Sequence, residues 1–77
     1  MKVKIKLFAS LRDSFGYSEK DMEVSDGETL DGVWKSIATG SNWRDEVLMA
    51  VNRDYANPDT LLNDGDEIAF FPPVTGG

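Results

Sequence analysis

Residues 64–77 read DGDEIAFFPPVTGG, and this stretch decides how the rest of the chain is arranged. The turn residues 64–66 lead into a short apolar run, residues 68–71, which predicts a buried strand. Pro72 and Pro73 lack a backbone N–H and hold φ at about −65°, so they end the strand and keep the following residues extended. We therefore expect a strand that runs directly into a stiff, projecting tail.

The last two residues are Gly76 and Gly77, which have no side chain, so the α-carboxylate is the only reactive group at the tip. Fully extended, residues 72–77 would reach roughly 20 Å at about 3.3–3.6 Å per residue. Such a thin end fits a narrow channel in a partner protein. The alternative is a frayed terminus without a role, since terminal residues are commonly disordered; the strand and proline pair before it favour a functional tail.

Length and composition limit the class of protein. With 77 residues, of which 40% are hydrophobic, we expect one domain over residues 1–77, with residues 71–77 as an extended tail. No apolar run approaches the ~20 residues that a membrane span needs, so we expect a cytoplasmic protein. The net charge of −6 argues against nucleic acid and anionic membranes as partners and favours basic protein surfaces, although solubility alone would explain most of the acids.

The chain contains no cysteine and no histidine. Their absence excludes disulfides, thiolate nucleophiles, zinc sites of the usual kind and the commonest general base. We therefore expect no metal site and little catalytic machinery on this chain.

Lysine alternates with apolar residues over residues 2–7, which predicts a half-buried strand with Val3, Ile5 and Leu7 facing inward. Phe8 then falls on the lysine face. Either its ring is exposed there, or the strand ends before it and the ring folds beneath the following loop. Both interpretations remain open on sequence alone.

Further patterns predict the remaining elements in chain order. They are a short helix over residues 9–15, a strand over 19–24, a main helix after Thr29, a strand over 47–51, a short edge strand at Tyr55, a turn over 57–60 and a loop anchored by Leu61 and Leu62. Together they predict an α+β fold, a small sheet with one principal helix across one face.

The main helix is the best-defined of these elements. Thr29 can cap its start, and the next apolar residues follow at helical spacing: Leu30, Val33, Trp34 and Ile37. Gly32 inside the stripe predicts a close approach to the sheet, and a charge at Val33 or Ile37 is expected to unfold the domain. Trp43, beyond the helix, is interpreted as a lid over one edge of the core.

The ending at residues 64–77 resembles that of the molybdopterin synthase small subunits, a family of ubiquitin-like β-grasp sulfur carriers. Residues 4–9 (KIKLFA) and 50–52 (AVN) are also similar to the family's segments, whereas residues 17–46 match only in pattern. The sulfur carriers of thiamin synthesis share the Asp-Gly-Asp turn and the Gly-Gly end but usually lack Phe-Phe-Pro-Pro. The resemblance is therefore closer to the molybdopterin family.

This resemblance implies a ubiquitin-like β-grasp fold, in which a small mixed sheet carries one principal helix and a flexible Gly-Gly tail. It also implies a sulfur-donating subunit whose catalytic residues belong to a large subunit. In the family, an E1-like ATP-dependent adenylyltransferase activates the final glycine and a sulfurtransferase supplies the sulfur. The resulting thiocarboxylate donates sulfur to the cyclic pyranopterin precursor, which becomes the molybdopterin dithiolene. The chain itself is implied to bind no cofactor, since the activating enzyme uses the ATP.

Carried onto this sequence, the resemblance makes Gly77 the reacting residue, first as glycyl adenylate and then as thioglycine. The tail within the channel of the large subunit would comprise Gly76, Thr75, Val74, Pro73 and Pro72.

A partner surface is predicted beside this tail. On the last strand Ile68 and Phe70 share one face and Phe71 lies on the other. The first and last strands of a ubiquitin-like sheet are parallel neighbours, so Phe8 and Phe71, with Tyr55, are expected to form an exposed patch that binds a partner. The alternative is that a loop covers the rings.

Other functions use the same chemistry at the C-terminal glycine and remain alternatives. They are sulfur donation to the thiamin thiazole or to a tRNA base, and conjugation as a ubiquitin-like protein modifier. An interaction domain with an inert tail is the remaining alternative.

Overall fold

The computed structural model describes residues 1–41 and 46–73, which form one five-stranded sheet and two helices. In chain order the elements are β1 (Lys2–Leu7), α1 (Ser10–Phe15), β2 (Glu19–Glu23), α2 (Leu30–Ala38), β3 (Leu48–Val51), β4 (Asp54–Tyr55) and β5 (Glu67–Phe71). The predicted order of elements is confirmed. Neither helix of the described ranges is long and apolar enough to cross a membrane. The predicted lid, Trp43, lies outside the described residues.

The strands lie in the order β2-β1-β5-β3-β4. The central pair, β1 and β5, is parallel as expected, with Ile5 opposite Ile68 and Leu7 opposite Phe70. The other pairs are antiparallel. Because parallel strands end at the same edge of a sheet, the residues that follow β1 and β5 lie side by side.

The core lies between the helices and one face of the sheet. Its buried members are Val3, Ile5, Leu7, Leu11, Leu30, Val33, Met49, Leu62, Ile68 and Phe70. Within the α2 stripe, Leu30 and Val33 are fully buried, whereas Trp34 and Ile37 are partly buried. The Trp34 ring packs on the Phe70 ring with centroids 5.1 Å apart, so the stripe covers the central strands as predicted.

The start of α2 differs from expectation at one residue. Thr29 is the N-cap, and its Oγ1 accepts a hydrogen bond from the Gly32 N–H at 3.1 Å. The expected close approach of Gly32 to the sheet is wrong: a Cβ there would meet the Glu28 carboxylate. That carboxylate accepts a hydrogen bond from the Thr29 N–H at 3.0 Å. Glycine at position 32 therefore leaves room for a side chain that supports the beginning of the helix.

The loop before β5 is anchored by one leucine instead of two. Leu62 is 4% exposed, but Leu61 is 65% exposed. Leu61 forms an isolated antiparallel bridge with Thr29, and successive residues of an extended segment point to opposite sides. Only one of the two side chains can therefore reach the core.

Asn52 ties the β3–β4 turn to the start of β5. Asn52 and Arg53 have φ values of 51° and 74°, as a two-residue hairpin turn requires. The backbone N–H of Asn52 donates to the Glu67 carbonyl at 2.7 Å, and its side-chain oxygen accepts from the Glu67 N–H at 3.0 Å. Its Nδ2 donates to the Asp66 carboxylate at 3.0 Å. The asparagine thus extends the β3–β5 pairing by one rung.

The two aspartates of the turn before β5 have structural contacts, as predicted. Asp66 is 8% exposed and accepts a second hydrogen bond from the Asn63 N–H at 2.8 Å. Asp64 accepts one from the Lys2 N–H at 2.8 Å. The beginning of β5, and with it the position of the whole strand, is fixed by this network.

Replacing Asn52→Asp is expected to lower the free energy of unfolding by about 1–3 kcal/mol. The new carboxylate cannot donate to Asp66 and places a like charge beside it. Urea denaturation of this variant and of Asn63→Ala measures the effect. Asn63 is the matched control because its contact with Asp66 is made by the backbone N–H, which is retained when the side chain is shortened to a methyl group. An equal decrease in the free energy of unfolding in the two variants would contradict the role assigned to the Asn52 side chain.

Candidate functional site

The outer face is the side of the sheet opposite α2. Along β1 and β2, at one side of the sheet, it carries charges that pair across the strands: Lys2 with Glu23, Lys4 with Asp21, and Lys6 with Glu19. The Lys6 Nζ lies 3.6 Å from the Glu19 carboxylate and 3.5 Å from that of Glu67. Opposite charges across a strand pair stabilise the sheet modestly, so this end of the outer face is a solvated, self-compensated surface.

The other end of the outer face carries three aromatic residues, Phe8, Tyr55 and Phe71, which we call the aromatic patch. The Phe71 ring is central: its centroid lies 5.7 Å from that of Phe8 and 5.8 Å from that of Tyr55, both in edge-to-face geometry. Phe8 is 45% exposed and Tyr55 is 77% exposed. The structure therefore brings together the three residues predicted from the sequence, with Phe8 and Tyr55 exposed and Phe71 half-buried between them.

Phe8 is held in the patch by the end of β1. Its backbone N–H donates to the Phe70 carbonyl at 3.3 Å, which continues the pairing of β1 with β5 past Leu7. Ala9 then adopts a φ of 52°, and the chain turns into α1. Each of the two open interpretations was thus half right, because the strand ends before Phe8 but the ring stays exposed.

The chain leaves the body beside the aromatic patch. Phe71 is the last residue of β5 and lies opposite Leu48, which is 37% exposed. Pro72 is half-buried and Pro73 is exposed. The other predicted tail residues, Val74, Thr75, Gly76 and Gly77, lie outside the described residues.

A concavity of about 340 Å³, which we call the hollow, lies between the patch and the charged end of the outer face. Ala50 and Ala69 pair across β3 and β5 and form its floor. The rings of the aromatic patch line one side, and the rest of the lining comes from Lys6, Arg53 and Glu67. The hollow was not predicted from the sequence. Alternation along β5 places Ala69 outward beside Phe71, but its pairing with Ala50 appears only in the sheet.

The described part of this surface offers aromatic rings, methyl groups and charged side chains to a partner. No group of three or more histidine, cysteine, aspartate or glutamate residues within the described ranges is placed to hold a metal ion. Burial raises the pKa of the Tyr17 phenol, and a hydrogen bond to Asp31, with its negative charge, raises the pKa of Lys35. Neither shift changes the charge of the group at neutral pH, and α2 carries Lys35 away from the outer face.

The chain is similar to known proteins in sequence and in fold. Residues 5–77 match the ThiS family. The molybdopterin synthase sulfur carrier subunit of Escherichia coli K12 is 36% identical over 81 residues, which cover 97% of this chain and 99% of that protein. A solved structure from Pyrococcus furiosus, a candidate molybdopterin converting factor subunit 1, superposes with a TM-score of 0.84 at 30% identity and covers 96% of this chain and 99% of its own.

A third similarity concerns an assembly. A chain in the complex of subunits 1 and 2 of the molybdopterin-converting factor from Helicobacter pylori 26695 is 26% identical, with a TM-score of 0.67 and complete coverage of both chains. The five-stranded mixed sheet with one principal helix and these neighbours confirm the predicted ubiquitin-like β-grasp fold. The chain belongs to the ThiS family, and within that family it is similar to the sulfur carrier subunits of molybdopterin synthase.

Proposed function

We propose that this chain is the sulfur carrier subunit of a molybdopterin synthase. The observation that carries the proposal is its similarity, over nearly the full length of both proteins, to the E. coli sulfur carrier subunit. The geometry supports it, because β5 places an exposed aromatic patch directly beside the root of the tail. A body that docks through this patch would direct the tail into the same partner.

The proposed chemistry takes place at Gly77. A carboxylate is a poor acyl donor, so its oxygen first attacks the α-phosphorus of ATP on the activating enzyme, giving the glycyl adenylate and releasing pyrophosphate. A sulfur nucleophile delivered by a sulfurtransferase then attacks the carbonyl carbon, and AMP leaves. The product is a thiocarboxylate, whose sulfur attacks the cyclic pyranopterin precursor in the large subunit. Water then hydrolyses the resulting thioester and returns the Gly77 carboxylate, and two such transfers supply the two sulfurs of the dithiolene.

The residues before Gly77 have roles that follow from their chemistry. Gly76 has no Cβ and can pass a constriction, while Thr75 and Val74 can hydrogen-bond and pack along a channel wall in an extended pose. Pro72 and Pro73 restrict the tail to extended conformations before it binds. A preorganised tail loses less conformational entropy on insertion, so docking is less costly.

The proposed function requires three partners: the large subunit of molybdopterin synthase, an E1-like adenylyltransferase and a sulfurtransferase. The first is supported by the complex of subunits 1 and 2 from H. pylori. The net charge of −6 favours basic surfaces on each of them. The aromatic patch is the proposed docking surface for the large subunit.

Replacing Phe71→Ala is expected to weaken binding of the large subunit about tenfold or more, because central aromatic residues commonly dominate an interface. Isothermal titration calorimetry with the purified large subunit measures the dissociation constant. Leu61→Ala is the control, since Leu61 is an exposed apolar residue beside the start of α2, away from the patch. Unchanged affinity of the Phe71 variant would contradict the role of the patch.

The function itself is tested by intact-mass measurement after incubation with ATP, sulfide and the activating enzyme. A carrier gains the mass difference between oxygen and sulfur at its C-terminus, and a chain with an inert tail does not. A stable complex with the molybdopterin synthase large subunit then distinguishes this carrier from one that serves thiamin, tRNA or protein modification. If the chain gained sulfur but formed no stable complex with this large subunit, the proposed role in molybdopterin synthesis would be contradicted.

A further inference from the structure

We infer that the hollow receives one bulky apolar side chain of the large subunit, and that an acidic residue beside it on that subunit pairs with Arg53. The inference rests on the proposed function, since it states the chemistry of the surface that this partner presents. The insertion of a side chain rests on Ala50 and Ala69, and the ion pair rests on Arg53.

The floor of the hollow exists because two small residues meet. Ala50 and Ala69 face each other across β3 and β5 and contribute only methyl groups. Their neighbours on the outer face are large, since Phe71 follows Ala69 by two residues and Tyr55 lies opposite Ala50. The result is a depression with aromatic sides. Interface residues with the largest energetic contributions insert into well-packed pockets of this kind.

The lining favours an apolar occupant over a polar metabolite. Sites for small molecules combine apolar walls with a few convergent polar groups that fix the orientation of the ligand. Here the polar groups are engaged with one another: the Lys6 ammonium lies between the carboxylates of Glu19 and Glu67. An incoming group can therefore contact methyl groups and ring edges in the hollow. Such contacts suit an aromatic or branched aliphatic side chain.

Arg53 is the exception among the charges around the hollow. Its side chain is exposed and forms no ion pair with any residue of 1–41 or 46–73. It also occupies a turn position with a φ of 74°, where glycine or asparagine would be less strained. The turn alone therefore does not require an arginine. A guanidinium that the described residues leave without an ion pair, at the rim of an apolar depression, is suited to a carboxylate on the docking protein.

The position of the hollow identifies the occupant as the protein that receives the tail. The hollow shares Phe8, Tyr55 and Phe71 with the aromatic patch, and β5 runs from its floor at Ala69 to Pro72. A side chain inserted here would hold the body of the carrier while the tail extends from the adjacent strand end. The hollow and the tail root are therefore parts of one continuous surface.

The variant Ala69→Leu tests the first part by filling the hollow from its floor. Affinity for the purified large subunit, measured by calorimetry, is expected to fall at least about tenfold, with an unchanged thermal midpoint of unfolding. Asp21→Leu is the matched control, because it adds a leucine to the outer face on β2, outside the hollow. If Ala69→Leu lowers the midpoint, Ala69→Val provides the same comparison with a smaller side chain.

The variant Arg53→Glu tests the second part. It is expected to slow association with the large subunit and to weaken binding several-fold at low salt, with a smaller effect at high salt. Lys20→Glu makes the same change in net charge on β2, where the lysine contacts the Tyr17 ring 5.5 Å away. This control is expected to change the association rate much less.

Unchanged affinity of Ala69→Leu, with wild-type binding intact, would overturn the insertion of a side chain into the hollow. Equal effects of Arg53→Glu and Lys20→Glu would overturn the ion pair, since general attraction by net charge would then suffice. Failure of the wild-type chain to bind the large subunit would instead overturn the proposed function, and this inference with it.

Discussion

A chain that lacks Gly77 is expected to form no dithiolene product with the large subunit, even after incubation with ATP, sulfide and the activating enzyme. Its terminal carboxylate would end about 3.3–3.6 Å short of the position that Gly77 reaches. A displacement of even ~1 Å of a reacting group can cost about a hundredfold in rate. Intact-mass measurement of the carrier and assay of the dithiolene product with the large subunit both report the loss.

The stability and partner binding of the truncated chain are the controls for this experiment. Because β5 ends at Phe71, removal of Gly77 leaves every described element and the aromatic patch in place. The truncated chain should therefore unfold at the wild-type temperature and still compete with the intact chain for the large subunit. Dithiolene formation at the wild-type rate would contradict the assignment of Gly77 as the sulfur-bearing residue.

Replacing Val33→Asp is expected to leave the domain largely unfolded. Val33 is fully buried at the centre of the α2 stripe, and a buried, unpaired carboxylate costs several kcal/mol. Single domains are stable by only about 5–15 kcal/mol, and a chain of this size buries a comparatively small share of its surface. Circular dichroism at increasing temperature measures the loss of the cooperative transition.

Ser36→Asp is the matched control for this substitution, because Ser36 is exposed on the same helix. It is expected to change the midpoint only slightly. Ile37, for which the sequence predicts the same outcome as for Val33, is only partly buried, so Ile37→Asp should cost less. If the Val33→Asp variant had the wild-type midpoint of thermal unfolding, the packing of α2 on the core would not be required for stability.

Local patterns predicted the elements well because each depends on neighbouring residues. Alternation along residues 2–7 predicted β1, Thr29 was identified as the cap of α2, and Gly16, with a φ of 84°, ends α1 as its position after Phe15 predicts. The parallel pairing of β1 with β5 came from the family resemblance. It could not come from periodicity, which carries no information on which strands are neighbours.

The errors and omissions concern contacts between distant segments or the direction of one side chain. The prediction that Gly32 approaches the sheet was wrong because the spacing of residues does not show where the Glu28 carboxylate points. The contacts of Asn52 with Asp66 and Glu67, and the hollow over Ala69, depend on the register of β3 against β5. Register becomes visible only once the sheet is assembled.

The central position of β5 has a consequence for how the protein is made. The strand nearest the end of the sequence lies between β1 and β3 and supplies Ile68 and Phe70 to the core. A nascent chain therefore cannot close its sheet until ribosomal synthesis has passed residue 71. Molecules that terminate before the end of β5 remain unfolded and open to proteolysis, so the pool of carriers that can occupy a partner contains only molecules whose translation has reached the tail.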